Sequence, residues 1–210
     1  MDLPTPLDPR GRVTASSAPG AVAPGVLALQ GSVAPHCAHF RSLGHDVAEV
    51  RLPRQLEGVT HLVIPGGEST TLAKLLRFYE LWDPIATRAR EGSLAIFGTC
   101  AGAILLGRTS PTPPPRFGLL DIEIDRNAYG RQIDSFVAPV DSDEFDDLEG
   151  VFIRAPRIRA CGPDVEVLAR LRSADGSTEP VLVACGRLMA ATFHPELTRS
   201  DSVHSRFLQR

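Results

Sequence analysis

A short run of small residues around one cysteine, residues 98–102, constrains the fold of this 210-residue chain more than any other feature. The run Gly-Thr-Cys-Ala-Gly follows an apolar segment, 94–97, that is typical of a buried strand. It precedes the apolar segment 103–106, which is typical of a helix. Small residues on both sides let the chain turn sharply, and such a turn exposes the central side chain on a strained elbow. The pattern predicts an α/β fold with Cys100 at a strand–helix elbow.

Cys100 has two interpretations at this point. The following helix N-terminus provides positive potential and free N–H groups, which favour a thiolate and bind an oxyanion. This favours a nucleophile. The alternative is a buried structural cysteine in a Gly-rich turn, which is the commoner role of an isolated cysteine.

The segment His194-Pro195-Glu196 supports the nucleophile. A cysteine nucleophile needs an imidazole base, and the base needs a third group that holds its tautomer and orientation. In an extended segment, residues two apart point the same way, so both side chains would reach one site from a strand end. A surface turn explains this tripeptide equally well when it is taken alone. Together with the elbow, it predicts a Cys100–His194–Glu196 triad.

These motifs resemble those of the triad glutamine amidotransferases. Five further segments stand in the same order as in one subfamily, the glutaminase subunit of pyridoxal 5′-phosphate synthase: 25–31, 65–71, 117–121, 126–132 and 152–156. The resemblance runs from about residue 25 to the C-terminal end. It implies a class I glutamine amidotransferase-like fold, a single three-layer α/β domain whose central sheet is mostly parallel and mixed. It also implies hydrolysis of L-glutamine to L-glutamate and ammonia, without a cofactor or a metal.

The resemblance also implies the substrate contacts and a partner. The glutamine would lie against six residues: Gly67, Glu68, Ser69, Arg126, Ile153 and Arg154. Backbone N–H groups near Gly67 and Ala101 would form the oxyanion hole, to which Gln30 and Gly31 also contribute. The implied partner is a (β/α)₈-barrel synthase subunit that consumes the ammonia.

The residue types at these positions suit those roles. The glycines of the segment 65–69 follow a predicted strand and allow close backbone approach to a ligand. This turn lacks the lysine and the glycine spacing of a phosphate-binding loop. Arg126 and Arg154 fit the need for a cation beside an amino acid's carboxylate, although surface salt bridges are the commoner role of an arginine.

Two rival functions stay open from the sequence. One is the glutaminase subunit of imidazole glycerol phosphate synthase, which has a similar triad; the segments 126–132 and 152–156 argue against it. The other is a non-catalytic scaffold that binds a synthase without turnover. The intact Cys100, His194 and Glu196 argue against a scaffold.

Composition limits the partners and the compartment. A net charge of −3 gives no electrostatic argument for a nucleic-acid or anionic-membrane partner. Residues 1–24 are rich in Pro, Ala, Ser and Gly and lack the apolar centre of a signal peptide, so we expect a disordered extension before an amidotransferase domain over 25–210. The four scattered cysteines are expected to be reduced thiols, which suits a cytoplasmic protein.

Strands are predicted at 26–29, 46–51, 61–64 and 94–97, followed by closely spaced extended segments after residue 119 that would extend the sheet. Thr70 or Thr71 is expected to cap a helix after the turn at 65–69. His36, Cys37 and His39 lie together on the first predicted helix. With no fourth ligand nearby, we interpret the histidines as solvated rather than metal-binding.

Overall fold

The computed structural model describes residues 22–126 and 135–210. Its helices are α1 (Val33–Ser42), α2 (Ser69–Phe78), α3 (Trp82–Arg90), α4 (Ala101–Leu106) and α5 (Ser202–Leu208). Its strands are β1 (Pro24–Leu27), β2 (Ala48–Val50), β3 (His61–Ile64), β4 (Ala95–Thr99), β5 (Ile122–Asp125), β6 (Phe136–Pro139), β7 (Glu149–Phe152), β8 (Arg157–Cys161), β9 (Glu166–Arg172), β10 (Thr178–Cys185) and β11 (Leu188–Ala191). Short 3₁₀ turns span Pro53–Leu56 and Pro195–Leu197.

Seven strands form the central sheet, in the order β2-β1-β3-β4-β11-β10-β9. The five strands from β2 to β11 run parallel to their neighbours, whereas β10 is antiparallel to both β11 and β9. The predicted fold class, a mostly parallel mixed sheet, is confirmed. Because β1, β3, β4 and β11 run in one direction, the segments that follow them meet at one edge, where sites of α/β proteins form.

The sheet is covered on both faces, because neighbouring residues of each buried strand point to opposite sides. Leu27 packs in one apolar core with side chains of α2, α3 and α4. Val26, the preceding residue, packs in a second core with side chains of α1 and α5. Two cores separated by one sheet give the predicted three layers.

The extended segments after residue 119 depart in part from the prediction. Only β9, β10 and β11 join the central sheet, while β5 pairs with β8 and β6 with β7 in separate two-stranded sheets. The strand β8 was not predicted. The β5–β8 pair contributes Ile122, Ile124 and Ile158 to the first core, so tertiary packing rather than local pattern sets its position.

Two local predictions are wrong. Glu68, not Thr70 or Thr71, caps α2: its carboxylate accepts the N–H groups of Thr70 at 3.0 Å and Thr71 at 2.6 Å. His36 and His39 are buried, with 0% and 8% exposure, so they are not solvated. Their ring nitrogens contact polar groups of the protein: His204 and Thr99 for His36, and Asp201 and the Glu196 backbone oxygen for His39.

Some predictions concern residues outside this description. The structure does not describe residues 1–21 of the expected extension, nor residues 127–132 of the motif at 126–132. The domain limits therefore stay a prediction. Across 22–126 and 135–210, no helix combines the length and the apolar character that a membrane crossing requires.

Candidate active site

A cavity of about 340 Å³ opens at the carboxyl edge of the parallel strands. Three turns form its walls: the one after β1, the one after β3 and the elbow after β4. The loop after β7 and the segment after β11 complete it. Its lining contains most of the predicted site residues: Gly31, Gly67, Glu68, Ser69, Cys100, Ala101, Arg126, Ile153, Arg154 and His194.

Cys100 stands on a strained elbow between β4 and α4. Its φ of +48° lies in the left-handed region that non-glycine residues rarely adopt, a strain that is typical of functional sites. Small neighbours make the turn possible, because a Cβ on Gly102 would lie 2.0 Å from the carbonyl oxygen of Ile64. The Cys100 side chain lines the cavity, and its Sγ lies 3.9 Å from the Ile153 carbonyl oxygen.

His194 and Glu196 meet beside the elbow, although not through an extended segment. A 3₁₀ turn at Pro195–Leu197 follows His194 and folds the carboxylate back, so that Glu196 Oε1 lies 2.7 Å from His194 Nδ1. The Glu196 side chain is fully buried. The ring packs so closely on the turn after β3 that a Cβ on Gly66 would lie 2.4 Å from His194 Cε1.

The surroundings of His194 favour its protonated form. Burial by itself lowers the pKa of His194, but hydrogen bonding and charge interactions with Cys100 and Glu196 raise it from 6.5 to about 10. At neutral pH the ring is therefore an imidazolium placed between two anionic or potentially anionic groups. Such a ring stores the proton that a leaving amine needs.

We expect NMR titration of the histidine ring carbons to show His194 losing its proton near pH 10. Glu196→Gln should lower this pKa, because the amide carries no charge to stabilise the imidazolium. The signal that is lost in His194→Asn is the one that belongs to His194. The surface variant Glu166→Gln, which removes an exposed partner of Arg210, should leave the pKa of His194 unchanged. A wild-type midpoint near 6.5, or one that Glu196→Gln does not move, would contradict the proposed pairing.

The predicted substrate residues include charged groups of both signs. Arg126 Nη2 lies 3.5 Å from Glu68 Oε1, and Arg126 Nη1 donates to the Thr70 hydroxyl at 3.3 Å. Burial raises the pKa of Glu68, but hydrogen bonds from Thr71 and Thr70 outweigh burial and lower this pKa to about 2. The Glu68 carboxylate therefore stays ionised at neutral pH. Arg154 is exposed and has a φ of +45°. The cavity lining thus carries charges of both signs.

Three of the four residues predicted for the oxyanion hole line the cavity, and one does not. Gly67 and Ala101 line the cavity near Cys100, as does Gly31. Gln30 does not line it; its side-chain oxygen instead accepts the N–H of Glu68 at 3.2 Å, and the side chain packs on Gly67. Gln30 therefore supports the turn that carries Gly67.

Sequence reasoning missed several residues around the triad. Thr99 accepts the Gly66 N–H at 3.0 Å and so holds the turn against the elbow. His36 reaches the buried face of Glu196, with Nε2 at 3.4 Å from Oε2. One sequence signal could have indicated that His36 and His39 act together: their i, i+3 spacing places both on one helix face.

The fold and the site together define a glutamine amidotransferase of the triad type. The chain belongs to the SNO glutamine amidotransferase family, which it matches over residues 26–210. It is 51% identical to the pyridoxal 5′-phosphate synthase subunit PdxT of Chloroflexus aurantiacus, over 88% of this chain and 98% of that protein. It is 48% identical to PdxT of Thermus thermophilus, over 88% of this chain and 95% of that protein.

Solved structures agree with this assignment. A crystal structure described as a glutamine amidotransferase superposes with a TM-score of 0.80 at 47% identity, covering 88% of this chain and 96% of its own. The structure of PurLQS from Thermotoga maritima superposes with a TM-score of 0.63 at 18% identity, covering 90% of this chain and 98% of that one. The second likeness supports the fold alone.

Proposed function

We propose that this chain hydrolyses L-glutamine to L-glutamate and ammonia, and passes the ammonia to a subunit of pyridoxal 5′-phosphate synthase. One observation carries the chemistry: Cys100, on a strained elbow, faces the cavity beside the buried His194–Glu196 pair. The PdxT relatives, at 43–51% identity, support the synthase as partner. We also propose a cytoplasmic location, which the four unpaired cysteines support.

The first half of the reaction forms a thioester. His194 holds the proton of Cys100, and the sulfur attacks the side-chain amide carbon of glutamine. The N–H groups of Gly67 and Ala101 stabilise the negative oxygen of the tetrahedral intermediate. The carbon–nitrogen bond then breaks, and His194 gives its proton to the leaving nitrogen, which departs as ammonia.

The second half releases glutamate. His194 takes a proton from water, and the hydroxide attacks the carbonyl carbon of the γ-glutamyl thioester. The carbon–sulfur bond then breaks, which restores Cys100 with its proton held on His194, and the new carboxylic acid loses its proton to water as glutamate is released. Glu196 keeps the His194 ring oriented and stabilises its charged form in both halves. Every step uses groups of this chain, substrate and water.

The charges of the cavity match the two ends of a glutamine main chain. Arg126 and Arg154 supply cations for the α-carboxylate, and the ionised Glu68 supplies an anion for the α-ammonium. Ile153, Gly67 and Ser69 line the same cavity as these groups and Cys100. We propose that these contacts direct the side-chain amide towards the sulfur.

The partner follows from the fate of the product. Ammonia released into bulk water is protonated and diluted. It is therefore used efficiently only when it is released beside an acceptor. We propose a (β/α)₈-barrel synthase as that acceptor, bound to an amidotransferase domain over residues 25–210. The rival partner, imidazole glycerol phosphate synthase, is disfavoured because the curated relatives quoted above are pyridoxal 5′-phosphate synthase subunits. A scaffold without turnover is disfavoured by the complete triad.

Glutamate release in the presence of the synthase tests this proposal. We expect turnover of glutamine by the wild type, and a fall of about ten- to a hundredfold in kcat/KM for Arg126→Ala and for Arg154→Ala. The matched control is Arg172→Ala, which removes an exposed ion pair with Asp141. Absence of turnover by the wild type would refute the function. Unchanged kcat/KM in both cavity variants would make these arginines surface residues.

A further inference from the structure

Three buried histidines lie behind the triad carboxylate, outside the cavity lining. His36 and His39 come from α1, and His204 comes from α5. We call these three residues the histidine cluster. Their exposures are 0%, 8% and 0%. The reaction steps described above use none of them, so their burial beside the triad needs another explanation.

The histidine cluster contacts Glu196 at two points. His36 Nε2 lies 3.4 Å from the carboxylate oxygen Oε2, and His39 Nε2 lies 3.3 Å from the backbone oxygen of Glu196. Its members also contact each other. His36 Nδ1 lies 2.8 Å from His204 Nε2, and the rings of His39 and His204 stack at 4.3 Å. His39 is held at its other nitrogen by Asp201.

His36 and His204 are neutral at neutral pH. Burial, followed by the charges of His204, His194 and His39, holds the pKa of His36 well below its usual value. Burial and His39 lower the pKa of His204 to about 3, against a raising effect of Asp201. Each ring therefore carries one proton, and the contacts decide which nitrogen holds it.

Only one arrangement of these two protons suits the surroundings. With the proton on His36 Nδ1, the lone pair of its Nε2 would face the lone pairs of Glu196 Oε2. His204 Nδ1 would then carry a buried N–H that finds no acceptor among the described residues. A buried donor without a partner is costly and rare in proteins.

The opposite arrangement removes both conflicts. His204 Nε2–H donates to His36 Nδ1, and His36 Nε2–H points at the polar pair formed by Thr99 Oγ1, at 3.3 Å, and Glu196 Oε2. The Thr99 contact meets hydrogen-bond geometry, whereas the contact with the carboxylate oxygen, at 3.4 Å, is electrostatic and does not meet it. His204 Nδ1 is left as an unpaired acceptor, which costs less than an unpaired donor.

We propose that His36, held in its Nε2–H tautomer by His204, is a positioning residue for the triad carboxylate. This inference rests on the proposed function of Cys100, His194 and Glu196. Glu196 has two oxygens: Oε1 binds the His194 ring, and Oε2 faces the His36 N–H. The electrostatic attraction between this N–H and Oε2 opposes rotation of the carboxylate, and so keeps Oε1 directed at the imidazolium that the reaction needs.

The test compares three variants of the full chain, assayed with the synthase present. His36→Leu removes the N–H, whereas His36→Gln retains an amide N–H of similar reach. The matched control is His61→Leu, which removes a buried histidine at the start of β3, the end of the strand away from the cavity. Far-UV circular dichroism and thermal unfolding establish that each variant is folded.

We expect His36→Leu to lower kcat by about ten- to a hundredfold, as for outer partners of metal-bound histidines. KM for glutamine should stay within about twofold, since no member of the histidine cluster lines the cavity. His36→Gln should recover most of the kcat, and His61→Leu should retain it. In the same samples, NMR should show a lowered pKa of His194 in His36→Leu alone.

Several results would overturn the proposal. One is a kcat for His36→Leu equal to that of His61→Leu. Another is a fall in kcat with an unchanged pKa of His194, because His36 would then act through Thr99 and the Gly66 turn. A failure of His36→Gln to recover activity would indicate a packing role.

One measurement needs no substitution and no activity. Nitrogen-15 NMR of labelled histidine distinguishes protonated from unprotonated ring nitrogens in the wild type. We expect His36 and His204 both to carry their proton on Nε2, and a proton on His36 Nδ1 would refute the inference even if the variants do not fold. The result is independent of glutamine turnover, so failure of this inference is distinguishable from failure of the proposed function.

Discussion

Replacing Cys100 by alanine or serine is expected to remove glutamine hydrolysis while the protein stays folded. Alanine has no nucleophile, and a serine hydroxyl is far less ionised than a thiol, so the His194 base does not rescue it. We expect a loss of at least about a thousandfold in kcat. The fold should survive because the positive φ at this position is set by the surrounding glycines and by the bond from the Cys100 N–H to the Ala191 carbonyl.

Glutamate release and far-UV circular dichroism, measured on the same samples, check this prediction. Cys185→Ala is the matched control, since it removes a partly buried free thiol at the end of β10, away from the cavity lining. It should keep wild-type turnover. Turnover like that of the wild type in either Cys100 variant would move the nucleophile to another residue.

The synthase subunit is expected to raise the glutaminase rate of the isolated chain by about a hundred- to a thousandfold. One misdirected oxyanion donor costs a factor of this size. The donor Gly67 lies in a turn held by few bonds: Thr99 binds the Gly66 N–H, Ser32 donates to the Gly66 carbonyl at 3.3 Å, and Gln30 accepts from Glu68. A partner docked beside these turns would select the geometry that binds the oxyanion.

Steady-state glutamate release at saturating glutamine, with and without the synthase, measures this effect. A titration to constant rate ensures that all of the chain is bound. Equal rates would indicate a free-standing amidase and refute activation. Activation by an imidazole glycerol phosphate synthase barrel alone would favour that rival partner.

The parts of the fold that the sequence predicted are those with local causes. The elbow at Cys100 needs small residues in five consecutive positions, and the buried strands β3 and β4 contain the short apolar runs 62–64 and 95–97. The order of the parallel strands then brings the turns that follow them to one edge, as general rules for α/β sheets require. The joint placement of Cys100 and His194 could therefore be expected from motifs about ninety residues apart.

The parts that the sequence missed depend on tertiary contacts. His36 and His39 lie on a short helix whose sequence does not mark them as buried, and tertiary contacts with α5, β4 and the turn at Glu196 bury them. The pairing of β5 with β8 joins two segments that have β6 and β7 between them in the chain, so no local pattern signals it. Glu68 illustrates a third cause, since either it or a neighbouring threonine suits a helix cap and the turn geometry decides between them.

Isotope tracing tests most directly whether ammonia released at Cys100 becomes the nitrogen of the synthase product. The chain and its synthase are supplied with glutamine labelled with nitrogen-15 at the side-chain amide, in the presence of excess unlabelled ammonium. We predict labelled pyridoxal 5′-phosphate with the wild type and unlabelled product with Cys100→Ala. Unlabelled product with the wild type, or equal labelling with both chains, would contradict the account.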